Sequence, residues 1–398
     1  MKAHATTAPR RLRRLLPLFA VLVVSVVVAG CGSDDNSSSG TGKASTAAGT
    51  STAASGIVAE AQKMVAEANK PLEFKPPGPP IDASKLKGKT LAIVTVDERV
   101  PILSLANKAT QQAAKEVGIK VTSWDAKSQV NRMQQGIEQA ARQADAMILS
   151  GIPIAAVGGA LEAAKKAGVP SVSVLNNQPD PNAPGQGAGP LVGATSAPNY
   201  EHGGALVAAK AIVDTDGKVN TTIFDTKEIT PSPDVVRGMK SVLDKCSQCK
   251  VDMNTTPLAE WATALTPKAQ STVRKNPNLN YILPIFDDMG VFITAGIQQA
   301  GASDRVKVAA LDGTPAALKV IQDGDVFTAN PGQPTGWLGW HALDQAMRLM
   351  LGDKPGNPEI PSRLLDDENL KGVDVENIDA PYGNPKYREG FRQLWGLS

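Results

Sequence analysis

The sequence predicts an α/β protein built from two mainly parallel β-sheets, each with helices on both faces. Three observations carry that prediction. From Thr90 onward short apolar runs alternate with stretches of helical periodicity. The runs Leu91-Ala92-Ile93-Val94 and Ala146-Met147-Ile148-Leu149 are apolar without a break, as in strands buried on both faces. After a Pro- and Gly-rich loop the alternation restarts near Leu191, which points to a second sheet.

The elements follow in order. Strand 91–94 leads to a helix over 101–117, where Ile102, Leu105, Ala109, Ala113 and Val117 share a face. Strand 121–124 precedes helix 130–144, whose apolar face is Met133, Ile137 and Ala140. Strand 146–149 precedes helix 155–167, which Gly168 stops before Pro170. A strand follows at 171–175. In the second half, helices at 200–213, 234–243 and 289–300 alternate with strands at 219–224, 281–286 and 306–311, and 344–351 belongs to a late helix. In such folds ligands sit outside the carboxyl ends of strands. The loops after Val96, Leu175, Phe224, Phe286 and Leu311 are therefore where function is expected.

The formal charge of +2 over 398 residues conceals an asymmetry. Residues 1–30 contain Lys2, Arg10, Arg11, Arg13 and Arg14 and no acid, which leaves 36 basic and 39 acidic residues beyond them. A mildly acidic body argues against nucleic acid as a partner. The same thirty residues read as a secretory signal: a basic cluster, an apolar run over 15–29, then Val28-Ala29-Gly30-Cys31. The run is shorter than the ~20 residues of a spanning helix. Residues 31–56, rich in Ser, Thr, Gly and Ala, cannot build a core and read as a flexible tether. Residues 57–85 read as a helix followed by the stiff Pro76-Pro77-Gly78-Pro79-Pro80 spacer.

Catalytic patterns are missing. His4, His202 and His341 are not at metal-ligand spacing, and no nucleophile elbow or phosphate-binding loop is present. Gly185-Gln186-Gly187-Ala188-Gly189 lacks the dinucleotide spacing and sits in a Pro-rich loop. Cys246-Ser247-Gln248-Cys249 lies between a helix end and the strand near Val251. Outside the cytoplasm that pattern suits a structural disulfide pinning the turn better than a redox site. The expectation is a non-enzyme without metal or cofactor.

Val28-Ala29-Gly30-Cys31 resembles the bacterial lipobox, which implies a diacylated Cys31 as first residue of the mature chain. Two acyl chains give stable anchoring, each buried CH2 contributing ~0.8 kcal/mol. Asp287-Asp288-Met289-Gly290, Ala300-Gly301 and Leu311-Asp312-Gly313-Thr314-Pro315 resemble type I periplasmic substrate-binding proteins, nearest their ribose-like, sugar-binding branch. Asp125, Ile137-Glu138, the run at 145–149 and Ala167-Gly168-Val169-Pro170 agree, so the resemblance covers about 89–352. It implies two αβα lobes joined by three hinge crossings, near Gly193, Gln333 and Leu364. Lobe one would take 86–193 and 333–365, and lobe two 194–332 and 366–398.

The resemblance also implies ligand contacts. Asp312 stands where the family accepts sugar hydroxyls, although it also precedes a helical stretch that it could cap. Trp261 stands where an aromatic stacks on the ligand; core packing is the other reading. Asn176 and Asn177 replace a common Asp-Arg pair, and Phe286, beside Asp287, replaces a common Asn. Asn330 and Gln333 bracket a hinge position that is often Gln. The first loop offers Asp97 and Arg99 in place of an aromatic pair, and Val235 occupies a common Arg position with Asp234 beside it. The site is thus less basic and more apolar than a typical ribose site. The implied function is a monomeric, lipid-anchored, extracytoplasmic receptor that closes on a small sugar-like solute and delivers it to a membrane ABC permease. The same fold feeding a sensor kinase or chemoreceptor, or binding a non-sugar metabolite, is the alternative. In the C-terminal stretch, Phe391 and Trp395 share a helical face that suits packing on a lobe better than a partner.

Overall fold

The computed structural model describes residues 47–180, 182 and 189–397. The expected signal at 1–30, Cys31 and most of the Gly185–Gly189 motif lie outside the described residues. Lobe one contains β1 (Thr90–Thr95), α2 (Pro101–Val117), β2 (Lys120–Asp125), α3 (Val130–Gln143), β3 (Ala146–Ser150), α4 (Gly158–Lys166), β4 (Ser171–Val174) and β5 (Ala194–Pro198). Before them stands α1 (Ala47–Ala68). Lobe two follows with α5 (Tyr200–Asp214), β6 (Asn220–Asp225), α6 (Ser232–Leu243), β7 (Lys250–Thr255), α7 (Trp261–Lys275), β8 (Tyr281–Pro284), α8 (Asp287–Gln299), β9 (Lys307–Ala309), α9 (Pro315–Asp323) and β10 (Phe327–Gly332). The chain then adds α10 (Thr335–Leu351), β11 (Glu359–Ile360), β12 (Arg363–Asp366) and α11 (Tyr387–Leu394).

The sheets have the orders β11-β5-β4-β3-β1-β2 and β12-β10-β9-β8-β6-β7. All paired strands run parallel except β12, which is antiparallel to β10. Each sheet therefore repeats one doubly wound order, whose reversal falls between its first and third strands.

Three passages join the sheets: Pro198 to Tyr200, Gly332 to Thr335, and Ile360 to Arg363. The expected boundary at Gly193 falls short because 194–198 stays in sheet one, with Val172 opposite Ala194. Leu364, expected in lobe one, pairs with Pro331 in sheet two.

Two terminal passages add to these. Helix α1 starts ten residues before the expected one, so 47–56 is helical rather than tether. Its Ile57 and Ala61 are buried in the lobe-two core, while Phe74, packed on it, and Ile81 and Leu86, buried in it, belong to the lobe-one core. The C-terminal segment was expected wholly on lobe two. Leu370 and Tyr382 do pack there, but Tyr387, Phe391 and Trp395 join Trp337 and Trp340 in lobe one. Trp340 and Trp395 stack with centroids 5.2 Å apart, and Phe74 meets Phe391 at 4.9 Å. An aromatic helical face states that it must be buried but not against what.

Two further differences have plain causes. Helix α10 begins at Thr335, nine residues before the expected 344, because it is buried almost all round and shows no polar stripe. Helix α7 was not expected because Pro267 interrupts its pattern. The sulfurs of Cys246 and Cys249 are bonded, closing the turn between α6 and β7. Helices α5 and α6 touch through glycines: a Cβ on Gly238 would stand 1.9 Å from the Glu201 carbonyl oxygen. That contact brings Glu201, Asp234 and Arg237 together at one end of the helix pair.

Candidate functional site

The order reversals lie between β1 and β3 in lobe one and between β6 and β8 in lobe two. The loops leaving those carboxyl ends are where a crevice forms. A cavity of about 440 Å³ opens between the lobes, lined by Pro153, Ile154, Asn177 and Leu191 of lobe one and Thr230 of lobe two. None of the carboxylates described next is in its lining, and Asn177 is the expected site residue that is.

On the lobe-one side the first loop folds on itself. Asp97 is buried and accepts from Arg99 Nε at 2.9 Å, Arg99 Nη2 at 2.6 Å, the Arg99 backbone at 3.0 Å and Ser128 Oγ at 2.8 Å. The hydrogen bonds from Arg99 hold its carboxyl well below the usual range against the opposing effect of burial. The Arg99 side chain itself is 82% exposed. These two residues are partners of one another.

After β4, Leu175 takes φ 54°, a left-handed conformation that is costly for a bulky side chain. It turns the chain so that Asn176 Nδ2 donates to Asn177 Oδ1 at 3.2 Å, which also accepts from Ser173 Oγ at 2.9 Å. Gln178, which the sequence did not single out, accepts from the Tyr200 backbone N–H and donates to Asn199, so it fastens this loop to the first hinge passage.

On the lobe-two side Trp261, the first residue of α7, is half-buried. Its Nε1 donates to Thr226 Oγ1 at 2.8 Å, and that hydroxyl donates to the Thr256 carbonyl at 2.8 Å. The indole plane is thus fixed by two strand-end threonines that carried no distinguishing sequence signal. Asp234 pairs with Arg237, which also reaches Glu201 at 3.1 Å. Phe286 is nearly buried and belongs to the lobe-two core.

Asp287, Asp312, Asn330 and Gln333 form one group. Asp287 is fully buried, and its Oδ2 accepts from the Thr314 backbone at 2.8 Å, Thr314 Oγ1 at 3.0 Å and Asn330 Nδ2 at 3.1 Å. One oxygen is therefore occupied in fixing the start of α9. Asp312 takes φ 120°, and its Oδ1 accepts from Gln333 Nε2 at 2.8 Å while its carbonyl accepts from Gln333 N at 2.9 Å. A non-glycine residue at this φ persists only where its surroundings hold it, and such positions cluster at ligand clamps. The buried polar atoms without a partner include Asp287 Oδ1, Asn330 Oδ1, Gln333 Oε1, the Tyr382 hydroxyl and, at the end of β6, Asp225 Oδ1. The sequence placed Asp312 after a strand, and the resemblance placed Asn330 and Gln333 about a hinge position; the orphaned oxygens become visible only in three dimensions.

Burial, and then the neighbouring Asp288, push Asp287 up to about 7, against the hydrogen bonds from Thr314 and Asn330. Asp312 is raised by burial first and by Asp287 and Asp288 next. A carboxyl that keeps its proton longer in the fold than in the unfolded chain stabilises the fold while protonated. That contribution is lost as pH rises from about 4 through about 7. Asp288, Asp312 and the Tyr382 hydroxyl are the titratable groups around Asp287. Urea unfolding is expected to show wild-type stability falling over that window by a few kcal/mol more than Asp287→Asn. Parallel curves would mean that Asp287 is ionised and accommodated.

Among the described residues no group of His, Cys, Asp and Glu could hold a metal ion, and no helix is long and apolar enough to cross a membrane. A model of the periplasmic binding protein domain family matches residues 92–354. The D-apiose import binding protein of Actinobacillus succinogenes is 25% identical over 288 residues, spanning 71% of this chain and 89% of that one. Among solved structures, the 5-methylthioribose transporter solute binding protein from Thermotoga lettingae, in complex with 5-methylthioribose, has a TM-score of 0.66. It is 19% identical, and the match covers 81% of this chain and 100% of that one. An ABC transporter solute binding protein from Bacillus halodurans with bound myo-inositol has a TM-score of 0.64. It is 17% identical, with 74% and 99% covered. Both likenesses are of fold.

Proposed function

The chain belongs to the periplasmic binding protein domain family, and from that premise we propose that it captures a small polyhydroxylated solute between its lobes and hands it to an ABC importer. The observation that carries this reading is the group of buried, unpartnered acceptors on Asp287, Asn330 and Gln333 beside Asp312, at the strand ends where two doubly wound sheets meet. Buried acceptors without donors are costly, and a solute rich in hydroxyls supplies donors. The ligand contacts of this reading are Asp312, Gln333 and Asn330, with Trp261 as the stacking wall and Asn176 and Asn177 as the facing amides. Asp97, Arg99, Asp234 and Phe286 shape the loops around them.

Capture works by hinge closure, in which solute stabilises the closed form only through its better affinity for that form. Cys31 is the proposed lipid attachment site, so that the receptor stays at the extracytoplasmic face of the cell membrane near its permease. The protein has no catalytic role in this reading.

Thermal-shift screening of the full chain against sugars, sugar alcohols, cyclitols, amino acids and small aromatic acids tests it. A solute at about 100 times its dissociation constant adds ~2.7 kcal/mol of stability. A polyhydroxylated hit whose shift is abolished in Trp261→Ala but largely kept in Trp261→Phe is the expected result. Stabilisation only by solutes without hydroxyl groups would sink it.

A further inference from the structure

The chemistry of the same group goes further than hydroxyl recognition, and the inference rests on the receptor reading above. The site combines three carboxyl groups, Asp287, Asp288 and Asp312, with a surplus of acceptors. Among the described residues none of the three forms an ion pair with a lysine, arginine or histidine. Two cations of the cleft, Arg99 and Arg237, are already paired, Arg99 with Asp97 and Arg237 with Asp234 and Glu201.

The two amides sharpen the point. Asn330 and Gln333 are fully buried, and each donates its NH2 to a carboxylate, Asn330 to Asp287 and Gln333 to Asp312. Turning either amide over would set its oxygen against a carboxylate oxygen, so the donors are fixed in place. Asn330 Oδ1 and Gln333 Oε1 are thereby left as acceptors with no partner, together with Asp287 Oδ1. The Tyr382 hydroxyl beside them, also without a partner, can donate one hydrogen bond, so acceptors and ionisable carboxyls still outnumber the donors left over. Donors that bring positive charge suit such a site, because neutral hydroxyls would meet the acceptors but give the buried carboxyls no counter-charge on ionisation.

We propose that the solute is a polyhydroxylated amine, an amino sugar or amino polyol, whose ammonium group lies against Asp312 and the amide oxygen of Gln333. An ammonium has three donors and no acceptor, which matches one carboxylate and two amide oxygens. Burial disfavours the ionised form of Asp312, and a cation beside it favours that form. The groups facing Asp312 are Asp287, Asp288, Tyr200 and Tyr382. None of them gains charge below neutral pH that would oppose a cation.

The test is calorimetric titration of the full chain with matched pairs: glucosamine and glucose, galactosamine and galactose, 1-amino-1-deoxysorbitol and sorbitol, and an aminocyclitol and myo-inositol. At least one amine is expected to bind tenfold or more tightly than its hydroxyl partner, and to lose tenfold or more in Asp312→Asn. Its affinity for wild-type protein should also strengthen from pH 5 to pH 7.5, a readout that stands if the variant fails to fold. A neutral polyol that binds as tightly as every amine overturns the proposal and leaves the receptor reading intact. Absence of binding by all amines and all neutral polyols overturns both.

Discussion

Asp312→Gly is expected to unfold at higher urea than Asp312→Ala, and neither variant to bind the solute. The usual order is the reverse, because glycine loses more conformational freedom on folding and is disfavoured against alanine by roughly 0.5–1 kcal/mol. Here the backbone is at φ 120°, where a Cβ is strained at a cost of order 1–3 kcal/mol. Both substitutions remove the carboxyl and orphan Gln333 Nε2 alike, so their difference isolates the backbone term. A glycine advantage of about 1 kcal/mol is the expected size. Both variants lack the acceptor on which capture rests, and hydrogen bonds to a charged group contribute roughly 1.5–3 kcal/mol each. Two such bonds correspond to a loss of about a hundredfold or more in affinity. Alanine melting above glycine would mean that the fold does not strain Asp312. Retained binding in either variant would remove Asp312 from the site.

Asp312 also shows what kind of site information a sequence holds. Its place in the Leu311-Asp312-Gly313-Thr314-Pro315 segment made it a candidate through the family resemblance that this segment carries. Strands β1 and β3 were legible from local pattern alone, since their unbroken apolar runs state that both faces are covered. Helix α10 was legible only in its second half, since a helix that meets apolar neighbours on every side has no periodic signal to read. The orphaned oxygens of Asn330 and Gln333 were invisible for another reason. An amide in a sequence has two donors and two acceptor lone pairs, and only its neighbours decide which are left over. Tyr382 lies beyond the reach of motif reading altogether: its hydroxyl stands against Gly313 and Gly332, about seventy and fifty residues away in sequence respectively. The destination of the C-terminal segment fails similarly, because the partners of Phe391 and Trp395 are set by Trp337, Trp340 and Phe74 from distant parts of the chain.

Those distant partners meet at a second buried cluster, and Arg348→Ala is expected to destabilise the protein by about 3–5 kcal/mol in urea unfolding. Arg348 and Asp344 are an ion pair on α10 with almost no solvent exposure, Nε to Oδ2 at 2.7 Å. Asp344 Oδ1 also accepts from Trp395 Nε1 at 2.8 Å, and Arg348 Nη2 donates to the Pro79 carbonyl at 2.9 Å. The pair therefore binds both terminal passages to lobe one: the Pro-rich arm through Arg348 and the C-terminal aromatic helix through Asp344. Truncating Arg348 leaves a buried carboxylate without its cation, and that uncompensated charge accounts for most of the loss. The double variant Asp344→Asn/Arg348→Met removes both charges, keeps an acceptor for Trp395 and refills the volume, so most of the stability should return. The Pro79 carbonyl stays unpaired in both variants, which separates arm release from charge burial. Limited proteolysis should cut within 70–80 in both, even though only the single variant is strongly destabilised. Equal stability of the two variants would assign the loss to the hydrogen bond to the Pro79 carbonyl, which neither variant restores, instead of to charge. Resistance of 70–80 in both would show that Phe74, Ile81 and Leu86, through the lobe-one core, suffice to hold the arm.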